Sequence, residues 1–405
     1  MPTIDTGNTA WVIAASALVL FMTLPGLAMF YGGLVRARNL LSVLMHCFLV
    51  CCVASLIWAL FGYSLVFDPG NGVIGSLGKA FLGGLGVLPH QHVPEIVFAL
   101  FQMTFAIITP ALIIGAFPER VKFSFLLPFS ALWLILVYLP VAHWVWGGGW
   151  AAARHVDDFA GGIVVHTTAG VAALIAAIAI GPRHGFPHHL TPPHNPGMTM
   201  AGAGMLWVGW FGFNGGSALA ANATAGNAIM ATHLAAIAAA LTWMVIEWVR
   251  VGKPTSIGLV TGAVAGLASV TPASGYIGPM GALLLGVIGG AACFVATNIV
   301  KRRWRIDDTL DVFAVHGIGG MLGSVLVAVL ALPALGGVGY AAGMDLSRQL
   351  LIQVETVAAA AVWSAIATFA LVKLIGAVTG LRVTREQEIE GLDVATHGER
   401  AYDLL

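Results

Sequence analysis

Charge is what this 405-residue chain has least of: Asp, Glu, Lys and Arg together make up 9% of it. A soluble domain devotes about a quarter of its residues to those four types, so this chain cannot cover a water-facing surface. Neither sign is in excess, with 18 basic and 18 acidic residues and a formal net charge of +0. That balance excludes nucleic-acid binding driven by bulk charge. Cysteine is scarce too. Cys47, Cys51 and Cys52 share one apolar stretch and Cys293 lies in another, a pattern of buried free thiols rather than a disulfide framework. The first apolar run, Trp11 to Phe30, lacks a basic segment before it, so no cleavable leader is expected. Neither a nucleophile–base set nor a cofactor fingerprint is present, and the expectation is no enzyme and no cofactor.

What the chain does have is apolar length. Hydrophobic residues make up 59% of it and glycine supplies 51 positions, the latter as expected where helices approach closely in lipid. Runs of the roughly 20 residues needed to cross a bilayer recur at 10–33, 42–67, 95–117, 123–145, 160–180, 197–217, 226–249, 256–272, 277–300, 310–331 and 349–379. Only helices satisfy their backbone hydrogen bonds within such a segment in lipid. The expected fold is therefore an all-α integral membrane protein with eleven transmembrane helices. Residues 1–381 form one membrane domain, and 382–405 form a polar tail.

Lys and Arg favour the cytoplasmic side. With the N-terminus outside, only Lys79, Arg154 and Arg348 of the 18 basic side chains fall outside. The reading is N-out and C-in, which requires an odd number of spans.

Two stretches repeat. Asp158-Phe-Ala-Gly-Gly-Ile-Val-Val-His166 has a counterpart in Asp308 to His316, both members of the pair being displaced by 150 residues. Phe30-Tyr-Gly-Gly33 likewise matches Phe213-Asn-Gly-Gly216. Spans one to five then correspond to spans six to ten. Because five is odd, the halves are inverted, an arrangement that places a substrate path at their interface near the midplane.

His166 and His316 lie inside their spans, where ionisable groups face a bundle interior or an aqueous path. Two imidazoles in contact are expected to stay neutral, one ring nitrogen donating to the other and the outer nitrogens facing a pore. A plain interhelical hydrogen bond, worth about 1 kcal/mol, is the competing reading; matched positions in a repeat favour function. No Cys, Glu or third His accompanies the pair, so no metal is expected. Asp158 and Asp308 stand where helix N-caps belong, and Asp158 also opens a Gly-rich entrance that it is placed to order. Aromatic residues gather at outer span ends: Phe101 and Phe105, Trp146 before three glycines, and Trp210 and Phe213 before Asn-Gly-Gly-Ser217. Each suits an interfacial belt. Small neighbours, however, expose ring faces to a cation, a contact worth about 0.5–2 kcal/mol, with Ser217 adding a hydroxyl acceptor. The His184, His188, His189, His194 tract reads as a solvated inner loop.

Several stretches carry a resemblance that spans nearly the whole chain: Phe21-Met-Thr-Leu-Pro-Gly-Leu-Ala-Met-Phe-Tyr-Gly-Gly33, His143-Trp-Val-Trp-Gly-Gly-Gly149, Asp158 to His166, Gly209-Trp-Phe-Gly-Phe-Asn214, Thr271-Pro-Ala-Ser-Gly-Tyr-Ile-Gly278, Asp311-Val-Phe-Ala-Val-His-Gly317 and the tail from Gly380 to Asp393. In these the chain resembles the Amt/Rh ammonium transporter family, specifically its bacterial AmtB-like branch. The resemblance implies an inverted five-helix repeat plus a final long helix, a homotrimer with one pore per subunit, and residence in the cell (inner) membrane. It implies ammonium recruitment by Phe105, Trp146 and Ser217, a gate of Phe105 and Phe213, a pore lined by His166 and His316, and structural support from Asp158 and Trp210. It also implies a PII-type (GlnK-like) regulatory protein docking on the tail and inner loops.

Physics agrees with that substrate. A bare cation in an apolar pore faces tens of kcal/mol of desolvation in the idealised limit, whereas a neutral hydrogen-bonding molecule faces only a few. Capture of NH4+ followed by passage of NH3, with or without a relayed proton, fits both halves of the pattern. An Rh-like gas channel and an ammonium sensor are the competing readings.

Overall fold

Near-continuous apolar sequence with few carboxylates or prolines leaves helix as the cheapest way to satisfy the backbone. The computed structural model, which describes residues 3–189 and 191–402, is helical throughout its length, with isolated bridges but no β-strand among the described residues. Nine helices there are long and apolar enough to cross a membrane: α1 (Thr6–Leu34), α2 (Ala37–Phe67), α3 (Glu95–Ile114), α4 (Phe123–Val145), α5 (Gly162–Ile180), α7 (Ala223–Val251), α9 (Pro279–Arg303), α10 (Phe313–Leu330) and α11 (Leu346–Thr379). Two more stand where the sequence expects spans six and eight: α6 (Pro196–Trp210, continued by Phe211–Gly215) and the shorter α8 (Ser256–Val270). After α8 the chain runs on through a turn that is buried at Thr271, Ala273 and Ser274. Irregular backbone is tolerated at such depth only where protein surrounds it.

Caps set several boundaries. Asp5, Asn195, Asn222, Thr255 and Asp345 each accept a backbone N–H at the start of α1, α6, α7, α8 and α11, satisfying donors that a helix start leaves orphaned. Within the helices, π turns occur at Met22–Leu27, around Pro25, and at Gly162–Thr167, Phe211–Gly215 and Phe313–Gly317. The last three carry His166, Phe213 and His316. A π turn inserts an extra residue and is frequent at functional sites.

Contacts between the two halves are reciprocal. A Cβ on Gly170 would strike Gly317, and one on Gly320 would come within 3.2 Å of the Thr167 nitrogen; the 150-residue offset turns the first contact into the second. A Cβ on Gly26 would come within 3.3 Å of Met205, and one on Gly209 would strike Met22, related in the same way by the offset of Phe30 to Phe213. Such exchange is what a two-fold relation requires. Glycine is needed here because backbones cross with no room for a side chain.

The tail folds back on the loops at one end of the bundle. Its short helices α12 (Arg385–Glu390) and α13 (Leu392–His397) present Asp393, whose carboxylate accepts the backbone N–H groups of Leu41 and Ser42 at 3.1 and 2.8 Å. The His-rich loop is tied in as well: His184 meets Arg385 at 2.8 Å, and His194 meets Tyr402 at 3.0 Å. The thiols depart from expectation. Cys47 and Cys293 are buried, but Cys52 is exposed, because it lies on the outward face of α2.

Candidate functional site

The candidate residues form one line through the bundle. Phe105, from α3, and Phe213, from the π turn of α6, stack with ring centroids 4.2 Å apart and planes at 27°. Trp146 stands edge-on to Phe105 at 5.7 Å. Its indole N–H donates to the Asp158 carbonyl at 2.8 Å, which fixes the ring. Ser217 donates its hydroxyl to the Phe213 carbonyl at 2.8 Å, leaving the oxygen's lone pairs for an incoming donor. Phe105, Trp146 and Ser217 together line a cavity of about 280 Å³ at the end of the bundle away from the tail, called the outer cavity for that position alone.

Below the phenyl pair lies His166, 6.1 Å from Phe213 and stacked on Trp210 at 5.4 Å. Trp210 is buried and locked by an indole bond to Thr271 at 2.8 Å. His166 and His316 meet through their Nδ1 atoms at 3.2 Å, with rings 17° from parallel. A single proton serves that contact. One Nδ1 donates and the other accepts, so one Nε2 is left as an acceptor and the other as a donor. The Nε2 of His166 is buried with no partner among the described residues. His316 lines a second, inner cavity of about 200 Å³ that also contains Tyr31, Arg183 and Lys301.

Asp158 does not line the outer cavity. Its two carboxylate oxygens accept four backbone N–H groups, from Gly161, Gly162, Ile163 and Val164, at 3.0, 2.6, 2.9 and 3.1 Å. Asp308 does less at the matching place, accepting Phe313 N at 2.7 Å. Asp311 pairs with Lys301 at 2.7 Å. Glu355, for which the sequence offers no account, pairs with Arg154 at 2.6 Å. Glu247 accepts from Thr255 at the α7–α8 turn. Among the described residues, no three His, Cys, Asp or Glu side chains gather to hold a metal.

A buried ion network joins the loops at the tail end of the bundle. Glu119 pairs with Arg36 at 3.0 Å and Arg183 at 3.4 Å, and Asp307 with Arg183 at 2.9 Å. The tail joins through Glu388, whose carboxylate pairs with Arg382 of the tail itself at 2.8 Å and accepts the His184 backbone N–H at 2.6 Å, and whose carbonyl accepts from Arg36 at 3.3 Å. Burial pushes the Glu119 and Asp307 carboxyls up, but the guanidiniums of Arg183 with Arg36, and of Arg183 with Arg120, outweigh it and hold both below the ordinary carboxylate values. Depressed carboxyls contribute stability that is present above their unfolded values, about 4, and lost as pH falls through the folded ones. The thermal stability of the chain is therefore expected to be constant from pH 8 to about 5 and to fall below about 4. A loss that begins well above that range would set these two carboxyls aside.

A bundle of apolar helices with paired polar and aromatic groups buried between two opposed cavities defines a multi-pass membrane protein with a site at its centre. The model of the Ammonium Transporter Family matches residues 10–402, and the chain belongs to that family. It is 44% identical to an ammonium transporter of Bacillus subtilis over 98% of both chains. It is also 44% identical to the ammonium transporter Amt1 of Archaeoglobus fulgidus, over 98% of this chain and 99% of that one. Among solved structures it superposes on a protein titled Sensor Amt Protein with a TM-score of 0.90 at 30% identity, covering 96% of this chain and 98% of that chain. Mep2 of Candida albicans superposes with a TM-score of 0.86 at 32% identity, over 95% and 88%.

The sequence singled out every residue in this line, but it missed three supports. Thr271 holds Trp210. Gln353 bridges Asp157 and Ser324 across α11 and α10. Gln102 borders the outer cavity. Only Gln102 carried a signal, a polar residue three positions before Phe105 and so on the same helical face.

Proposed function

We propose that the chain transports ammonium across the cell membrane. NH4+ is recruited against Phe105, Trp146 and Ser217 and loses a proton near the Phe105–Phe213 gate, the proton being either released to the outside water or relayed separately through the histidines. NH3, with or without a relayed proton, then passes His166 and His316 to the inner cavity. One observation carries this reading: the stacked phenyl pair and the coupled imidazoles lie in sequence between the two cavities. An ion must shed its water there, while a neutral molecule still finds hydrogen-bond partners. Eleven spans, N-out and C-in, a membrane domain of 1–381 with a cytoplasmic regulatory tail of 382–405, and a homotrimer with a pore in each subunit complete the proposal. The docked tail offers an ordered face to a PII-type regulator.

The likeness to a protein titled as a sensor favours one second reading, in which the site binds ammonium and reports it without net flux. Electrophysiology on the purified chain in liposomes, backed by an internal-pH dye, separates the two. Transport gives an ammonium-evoked current or alkalinisation and no response to potassium. Silence in both readouts leaves sensing.

A further inference from the structure

Besides His316, the inner cavity is lined by the charged side chains Arg183, Lys301 and Asp311. Arg183 is spent on Glu119 and Asp307, at 3.4 and 2.9 Å. Lys301 and Asp311 remain as the cavity's own pair. Lys301 stands in the π turn Ile299–Arg303 that ends α9. Its ammonium group donates to the Asp311 carboxylate at 2.7 Å and to the Thr309 carbonyl at 3.3 Å. Neither side chain is sealed off, with 25% of Lys301 and 19% of Asp311 exposed.

The two acceptors are held by other parts of the chain. Asp311 has φ +61°, a left-handed conformation uncommon away from glycine, although aspartate enters it more readily than most. Residues kept in such conformations are over-determined by their surroundings and gather at functional sites. The Asp311 carbonyl accepts the Val315 N–H at 2.9 Å, which ties it to the start of α10, and His316 follows at the next residue. Thr309 is pinned through its hydroxyl, which accepts from Arg120 at 2.7 Å. Carboxylate and carbonyl are thus set in place without the lysine. A part-exposed ion pair adds little to stability, so the headgroup itself is what Lys301 brings. An ε-ammonium is a compact single positive charge whose N–H groups donate and never accept. The same description fits the ammonium ion.

We propose that Asp311 and the Thr309 carbonyl form a monovalent-cation site at the inner end of the path, and that Lys301 keeps it filled as a tethered ammonium group. This rests on the reading of the chain as an ammonium transporter. NH3 that has passed His316 meets water in the cavity and takes up a proton again. A bare carboxylate beside a carbonyl would hold the resulting ion at the exit. Lysine, already ordered by its turn, loses less freedom on seating there than a free ion does, so the product leaves without lodging.

The test is ammonium flux through the full chain in liposomes, with potassium or choline chloride of equal concentration on both faces. Wild type is compared with Lys301→Met and with a double variant that adds Asp311→Asn. Potassium is the probe because it carries the charge, suits oxygen ligands and is no substrate on the transport reading. Wild type is expected to give equal flux in the two salts. Lys301→Met is expected to give about fivefold less flux in potassium than in choline, the factor of an ion pair at the strong end of the exposed range. The double variant, without the carboxylate charge, is expected to be indifferent to the salt again. Equal flux in both salts for Lys301→Met overturns the assignment, as does a potassium effect that survives in the double variant. If Lys301→Met does not fold, Lys301→Gln, which keeps a donor for the Thr309 carbonyl, is held to the same outcomes. The two levels fail differently. A wild type that carries no ammonium removes the transport reading and this site with it, whereas an active wild type matched by an indifferent Lys301→Met removes the site alone.

Discussion

Replacing His166 and His316 together with leucine is expected to lower ammonium flux by about a hundredfold while leaving the protein folded. The argument starts from the site's walls. Between the phenyl pair and the inner cavity, the two imidazoles are the polar groups shown to meet at the centre of the bundle, and each is almost wholly buried. A small hydrogen-bonding molecule entering a passage without them would lose its hydration with nothing in exchange, a cost of about 2–7 kcal/mol depending on the reference. A hundredfold corresponds to about 2.7 kcal/mol, near the low end of that range, because the leucines also fill some of the space. Folding should survive, since the exchange removes both members of a buried pair at once and leaves neither nitrogen unpaired. A single change at either position is a different experiment. It frees one Nδ1 and opens space beside it, so selectivity over potassium is expected to suffer along with rate. Flux and an internal-pH signal in liposomes measure both. Unchanged ammonium-specific flux in the double variant would remove the histidines from the path.

Much of this was legible in the sequence, and for identifiable reasons. Periodicity and apolar length locate helices well when almost no charge interrupts them, so nine of the expected spans match, to within a few residues, helices long and apolar enough to cross a membrane, as with 226–249 against Ala223–Val251. The 150-residue displacement of Asp158 and His166 predicted a reciprocal arrangement, and the contacts of Gly170 with Gly317 and of Gly320 with Thr167 display one. What periodicity does not register is a change of helical pitch. The π turns at Gly162–Thr167 and Phe313–Gly317 contain ordinary apolar residues, and nothing in their composition announces an extra residue per turn. Partners brought together by tertiary packing were equally invisible. Arg154 and Glu355 are separated by the whole of α5 to α10 before they meet, and Thr271, at the end of α8, meets Trp210 of α6 only through the packing of those two helices. Gln102 was missed too, although its place three residues before Phe105 on a helix already fixes a shared face.

Asp158→Asn is expected to act on folding before it acts on transport. The carboxylate holds four N–H groups, two on each oxygen. They come from the backbone segment that bends through Gly161 (φ +109°) into the π turn carrying His166. Gly161 is required there, since that φ is one other residues rarely adopt and a Cβ would press on Val165 and Trp146. The N-terminus of α5 thus depends on an anion that satisfies its orphaned donors and complements its dipole. Asparagine accepts at one oxygen only. Its NH2 group would face two of the N–H groups, leaving both buried and unpaired at about 1–3 kcal/mol each, so the variant should lose about 2–6 kcal/mol. The consequence reaches the outer cavity because the Asp158 carbonyl is the acceptor for Trp146. A shifted backbone therefore also releases the Trp146 ring that lines that cavity. Thermal unfolding in detergent together with concentration-dependent flux is the decisive pair of measurements. The expected outcome is a lower unfolding temperature with flux lost in proportion to folded protein. Full thermal stability accompanied by a raised KM would instead make Asp158 a contact for the ion.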